Sequence, residues 1–253
     1  MDDAMTTVFS YLSPRLCSRR LKRVAFRVSA VNEKYSIFSS EHHLTKPVVD
    51  ALAATATALQ SVVIDRMIVT IGAVEAFCQL PPTLEGRGWT FDHFVLDETL
   101  LQLLPSTLRD LSISAGGSLK ITNLHFLRGK MLESLAIQRS FISSADLAVL
   151  VDMAATLTTL DLTSCINISD GTLLSKLYSL RSLYLGNNRE LSDETVLGVC
   201  AGCPRLQRLS LDNCAMLSPM SLLGLEFVQV NVVKVQSIGS WERILFRKDV
   251  HTR

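Results

Sequence analysis

Cys200 and Cys203 form a C-x-x-C pair in "CAGC", the spacing with which thiolates hold zinc or exchange a disulfide. His42 and His43 are adjacent, and imidazole is the commonest metal ligand. "SAGGSLK" at 114–120 sets two glycines ahead of a lysine, a composition that suits phosphate. None of the three completes its chemistry. A structural zinc site takes four ligands, and neither a second C-x-x-C nor a suitably spaced histidine pair accompanies the first. "SAGGSLK" lacks the spacing and the Lys-Ser/Thr ending of a phosphate loop. The chain contains no G-x-S-x-G, no H-E-x-x-H and no dinucleotide-binding glycine fingerprint. No catalytic residue, metal site or cofactor is therefore expected. "CAGC" reads as the packed end of a helix, and the histidine pair as a polar cap or loop.

Composition narrows the rest. The 253 residues are 48% hydrophobic and 19% charged, with a net charge of +1, which is too apolar for a disordered tail and too neutral for a nucleic-acid footprint along the whole chain. The best candidate for a membrane span, "ADLAVLVDMAATL" at 145–157, is short and contains Asp146 and Asp152. Six cysteines are present (Cys17, Cys78, Cys165, Cys200, Cys203, Cys214) without a recognisable secretory signal, so buried, reduced thiols in an intracellular, soluble protein are expected.

What positions these residues is a repeat. L-x-x-L-x-L occurs as "LRDLSI" at 108–113, "LESLAI" at 132–137, "LTTLDL" at 157–162, "LRSLYL" at 180–185 and "LQRLSL" at 206–211, at spacings of 24, 25, 23 and 26 residues. Looser copies flank these: "LQSVVI" at 59–64, "FDHFVL" at 91–96 and "VNVVKV" at 230–235. Side chains alternate faces along a strand, so the fourth and sixth residues of each unit point inward while those between face out. The returns "SSADLAVLVDMAAT", "SDGTLLSKLYS" and "SDETVLGVCAGCPR" place Ser and Asp ahead of apolar stretches, as helix N-caps do. Strand, helix and strand then coil into a right-handed solenoid.

With "CPRLQRLSLDNC" (203–214) and "LTTLDLTSCINISD" (157–170), the chain resembles a leucine-rich-repeat protein of the cysteine-containing subtype over residues 45 to 238. The expected fold class is α/β: a curved sheet of about eight parallel strands with helices on the convex side. Cys165, Asn188 and Cys214 each fall eight residues after their repeat's first leucine. The resemblance implies that this position turns inward and satisfies the backbone of the loop. A broad sheet face of this kind suits a protein partner. Its expected outward residues include Asp110, Asp161, Asp212, Arg208, His93 and Tyr184, the last being the only aromatic among them. These are the candidate partner-binding residues.

Residues 1–44 are read as a separate helical piece and residues 45–253 as the solenoid. Met5, Val8, Phe9 and Leu12 share one face, Ser13-Pro14 breaks it, and Cys17, Leu21, Val24, Val28 and Val31 form an apolar stripe. "MDDAMTTVFSYLSPRLC" is similar to the opening of an F-box, which implies that Val8, Phe9, Leu12, Pro14 and Leu16 dock on a cullin–RING ligase adaptor. Such proteins often carry this repeat type, and the role implied is substrate recognition in a cytoplasmic ubiquitin ligase. Two other readings stay open. Residues 4–32 hold six basic residues and no acid, as a mitochondrial presequence does; the chain would then resemble mitochondrial leucine-rich-repeat proteins that act in respiratory-complex assembly. The segment would otherwise cap the solenoid.

Overall fold

The computed structural model describes residues 23–27, 43–55, 61–65, 68–78, 88–92, 101, 102, 104, 106, 108–114, 121, 123–165, 168, 170–218, 220–221, 232–238 and 241–246. Among these, one sheet holds ten strands: β1 (Arg23–Arg27), β3 (Ser61–Asp65), β5 (Gly88–Asp92), β6 (Asp110–Ser114), β7 (Ser134–Gln138), β8 (Thr159–Asp161), β9 (Ser182–Tyr184), β10 (Arg208–Ser210), β11 (Val232–Ile238) and β12 (Trp241–Phe246). Every pair from β1 to β11 is parallel, and β12 closes the sheet antiparallel to β11. A second, two-stranded sheet pairs β2 (His43–Leu44) with β4 (Ile68–Val69). Among the described residues the helices are α1 (Lys46–Thr55), α2 (Ile71–Cys78), α3 (Ala148–Val151) and α4 (Asp193–Gly202).

Burial follows the pleat. β6 and β7 alternate half-buried and buried residues along their length. The inward leucines Leu160, Leu162, Leu183, Leu185, Leu209 and Leu211 are all buried, as the repeat register predicts. The "SSADL" return starts with a capping box, in which Ser143 accepts from the Asp146 backbone and Asp146 accepts from the Ser143 backbone. α4 is capped by Ser192. "SDGTLLSKLYS" departs from expectation: it forms a 3-10 turn over Thr172–Lys176 in place of an α-helix. This is the shortest of the five regular repeats, and a 3-10 turn spans more length per residue than an α-helix does. Against it lies α4, at Gly202, where a β-carbon would stand 2.0 Å from the Ser175 carbonyl oxygen.

Two expectations are corrected. The stripe from Cys17 to Val31 predicts a helix, yet Arg23–Arg27 is a strand in parallel register with β3, Arg23 opposite Ser61 and Arg27 opposite Asp65. Leu21 and Val24 satisfy both a helical i, i+3 spacing and the start of an L-x-x-L-x-L unit, "LKRVAF". Periodicity cannot separate the two, and pairing with β3 selects the strand. β1 of the main sheet therefore lies within the segment read as a separate helical piece.

The unit expected at 91–96 is also displaced. β5 runs from Gly88 to Asp92, with Trp89 opposite Leu111 and Phe91 opposite Ile113. The unit is "GRGWTF" at 86–91, and the spacings around it become 27 and 22 residues, in place of 32 and 17. A 17-residue turn is shorter than a strand-and-return repeat allows. His93 lies outside the described residues. Thr90 takes the register position opposite Ser112.

Candidate partner-binding face

A tight turn follows each strand from β7 to β10 and fixes where its outward residues stand. Arg139, Ser164, Asn187 and Asn213 all adopt positive φ, between 55° and 61°, at the eighth residue of their repeats. Each is followed by a buried residue: Ser140, Cys165, Asn188 and Cys214. These four form an internal ladder. Cys165 Sγ donates to the Ile137 carbonyl at 3.0 Å, and Cys214 Sγ to the Leu185 carbonyl at 3.2 Å. Asn188 Nδ2 reaches back to the Leu162 carbonyl at 2.9 Å and to its own repeat's Leu185 carbonyl at 2.7 Å. Ile137, Leu162 and Leu185 are the sixth residues of consecutive units, so each ladder member from Cys165 onward satisfies the strand end of the repeat before it. The sequence marks Cys165, Asn188 and Cys214 for this role; Ser140, donating to Gln138 at 3.1 Å, belongs to the same series by its spacing.

Buried thiols are poor nucleophiles. Burial pushes Cys165 and Cys203 up to about 12 and Cys200 and Cys214 up to about 11. Cys203 Sγ lies 3.4 Å from both the Leu174 and Leu177 carbonyls, capping the return of the preceding repeat. The C-x-x-C pair is thus a packed helix end. Among the described residues, no group of three or more His, Cys, Asp or Glu is placed to hold a metal ion.

The open face of β6 to β10 presents short polar side chains. Asp161 is half-buried and held from two sides: Gln138 Nε2 donates to its Oδ2 at 2.5 Å, and the Thr163 backbone donates to its Oδ1 at 2.9 Å. Tyr184, on β9, stands opposite Asp161 of β8 and opposite Ser210 of β10. Arg208 is exposed, and its Nε donates to Ser182 Oγ at 2.9 Å. Asp212 accepts from Ser210 Oγ at 3.3 Å. Asp110 sits apart from this group, at the start of β6. The structure thus brings together Asp161, Tyr184, Arg208 and Asp212. The Gln138–Asp161 bond links residues 23 apart in the chain, and only the register signals it. Val8, Phe9, Leu12, Pro14 and Leu16 lie outside the described residues.

No family model and no curated protein matches the chain. Solved structures do. The chain is similar to an internalin, InlF, from Listeria monocytogenes, at 20% identity and a TM-score of 0.50, covering 76% of this chain and 58% of that one. It is similar to a second internalin, InlC2, from the same organism, at 19% identity and a TM-score of 0.50, covering 76% and 84%. The fold is a leucine-rich-repeat solenoid. A further match, to the Rad7 and Elc1 complex in yeast, has 12% identity and a TM-score of 0.42, covering 100% of this chain and 87% of that one.

Because the chain spans 58% of the InlF length and the identities are low, the likeness concerns the fold alone. Solenoids of this kind leave the strand face open and cover the other face with their returns. Here the returns carry the ladder and the buried thiols, and the strand face carries Tyr184 with its charged neighbours. No helix among the described residues is long and apolar enough to cross a membrane.

Proposed function

We propose that the chain is a non-catalytic scaffold that binds a protein partner on the concave strand face. The observation that supports this reading is the grouping around Tyr184. An aromatic side chain stands on an open sheet between charged residues held in place by Gln138, Thr163 and Ser182, and tyrosine and arginine are enriched among residues that dominate binding energy. The non-catalytic part is supported by the described thiols, which are buried and protonated at neutral pH. Asp161→Lys combined with Tyr184→Ala is expected to remove the partner in a pull-down while the thermal transition stays in place. Undiminished recovery of the partner contradicts the reading.

The finer role proposed is substrate recognition within a cytoplasmic cullin–RING ligase, with Val8, Phe9, Leu12, Pro14 and Leu16 on the adaptor. Phe9→Ala is expected to abolish adaptor co-purification. One observation favours the mitochondrial alternative as well: β1 begins at Arg23, so cleavage after about Arg20 would spare every described strand. Mass spectrometry of the endogenous N-terminus separates the two. An intact N-terminus with adaptor bound supports the ligase; a mature chain starting near Leu21, found in mitochondria, supports a complex-assembly role.

A further inference from the structure

The charges around Tyr184 have a definite arrangement. Along the strand direction, Arg208 lies at the start of β10, Asp161 in the middle of the row, and Asp212 just past the end of β10. Strands about 4.8 Å apart with a rise of about 3.3 Å per residue put Asp161 roughly 12 Å from both Arg208 and Asp212 at the α-carbons. Tyr184 is inside this triangle. All three charged groups are oriented by neighbours, Asp161 by Gln138 and Thr163, Arg208 by Ser182 and Asp212 by Ser210, so less conformational freedom is lost when a partner docks. Arginine carries five N–H donors, and the bond to Ser182 uses one.

Such a triangle discriminates by sign. A purely basic segment crossing it meets Arg208, and a purely acidic one meets two carboxylates; like charges brought together across an interface are strongly disfavoured. Accepting the concave-face reading above, we infer that the partner presents a segment with both signs. An acidic side chain meets Arg208, a basic one meets Asp161 or Asp212, and the backbone or an apolar residue between them covers Tyr184. Charges seven residues apart on a helix, about 10.5 Å by its rise, or three residues apart in an extended segment, fit that span.

The test is selection of binders to the full chain from a displayed library of short random peptides. Affinities of the enriched peptides are then measured for the wild type, Asp161→Asn, Arg208→Gln and Tyr184→Ala, each checked for an unchanged thermal transition. Enriched peptides are expected to carry an acidic and a basic residue at the stated spacing. Each charge variant should weaken them by about fivefold or more, and Tyr184→Ala by more still. Reversing Arg208→Glu should be rescued by changing the peptide's acid to lysine. Enrichment of uniformly basic peptides that ignore Arg208→Gln overturns this inference and leaves the concave face as the docking site. Peptides indifferent to Tyr184→Ala overturn the docking site itself. Failure to enrich any peptide counts against the inference, because the arranged charges would then hold no short segment.

Discussion

The central repeats, 108 to 218, and the N-terminal flank, 23 to 92, use one strand register with different residues. In the centre, leucine fills nearly every inward position, the spacing stays between 23 and 26 residues, and a ladder of Ser140, Cys165, Asn188 and Cys214 closes the turns after β7 to β10. In the flank, the positions opposite Leu111 and Ile113 belong to Trp89 and Phe91, and the next strand aligns Val62 and Ile64 with them. There, too, a second small sheet, β2 with β4, enters the returns, tied by Thr70 Oγ1 to the Leu44 carbonyl at 3.1 Å. Leucine is thus not what defines the coil. Parallel pairing fixes the register, and any large apolar side chain at the fourth and sixth places is compatible with it.

The largest effects are expected where that equivalence is tested directly. Leu183→Ala, in the centre, should cost about 2–5 kcal/mol, and Trp89→Ala, in the flank, a similar or larger loss of about 3–5 kcal/mol. Phe94→Ala should cost less than either, because the unit at 86–91 does not include it. Urea unfolding of the three variants decides it. A larger loss for Phe94 than for Trp89 would return the flank to the unit at 91–96 and break the comparison.

A smaller effect sharpens the contrast in the turns. Asn188→Ala leaves the Leu162 and Leu185 carbonyls without the amide that bonds them and should cost about 1–3 kcal/mol. Asn188→Cys should cost less, because Cys165 and Cys214 serve the equivalent carbonyls on either side. Equal losses for the two variants would deny the ladder its donor role.

The thiols of the centre add a pH dependence. Their folded values of about 11 to 12 exceed the usual 9.0, so above pH 9 the unfolded chain sheds thiol protons that the folded chain keeps. Stability therefore holds below pH 9 and falls as pH rises toward 11 to 12. The urea midpoint should drop between pH 8.5 and about 10.5, and drop less in Cys165→Ala. An identical drop in that variant assigns the loss to other groups.

The difference between the two regions also explains how far the chain could be read before folding. Five regular copies suffice for the solenoid, the buried leucines, the turn positions of Cys165, Asn188 and Cys214, and the strand position of Tyr184. "LKRVAF" and "GRGWTF" escape the same template for separate reasons. Leu21 and Val24 also fit a helix, and Gly86 offers no leucine to mark a start; only hydrogen bonding to β3 and β6 resolves them. The antiparallel β12 has no repeat to announce it. On the binding face, the outward positions follow from alternation, whereas the Gln138–Asp161 and Ser182–Arg208 bonds require the lateral register of neighbouring strands.

The central claim, that the strand face and not the helix-covered face holds the partner, is tested most directly by site-specific photo-cross-linking in cells. A photoreactive residue at Ala136 samples the middle of the strand face, and one at Leu197, exposed on α4, samples the opposite face. The account predicts covalent capture of one defined protein from position 136, absent from position 197 and lost when Tyr184→Ala is added. Capture from position 197 alone, or capture at 136 that persists with Tyr184→Ala, would contradict it.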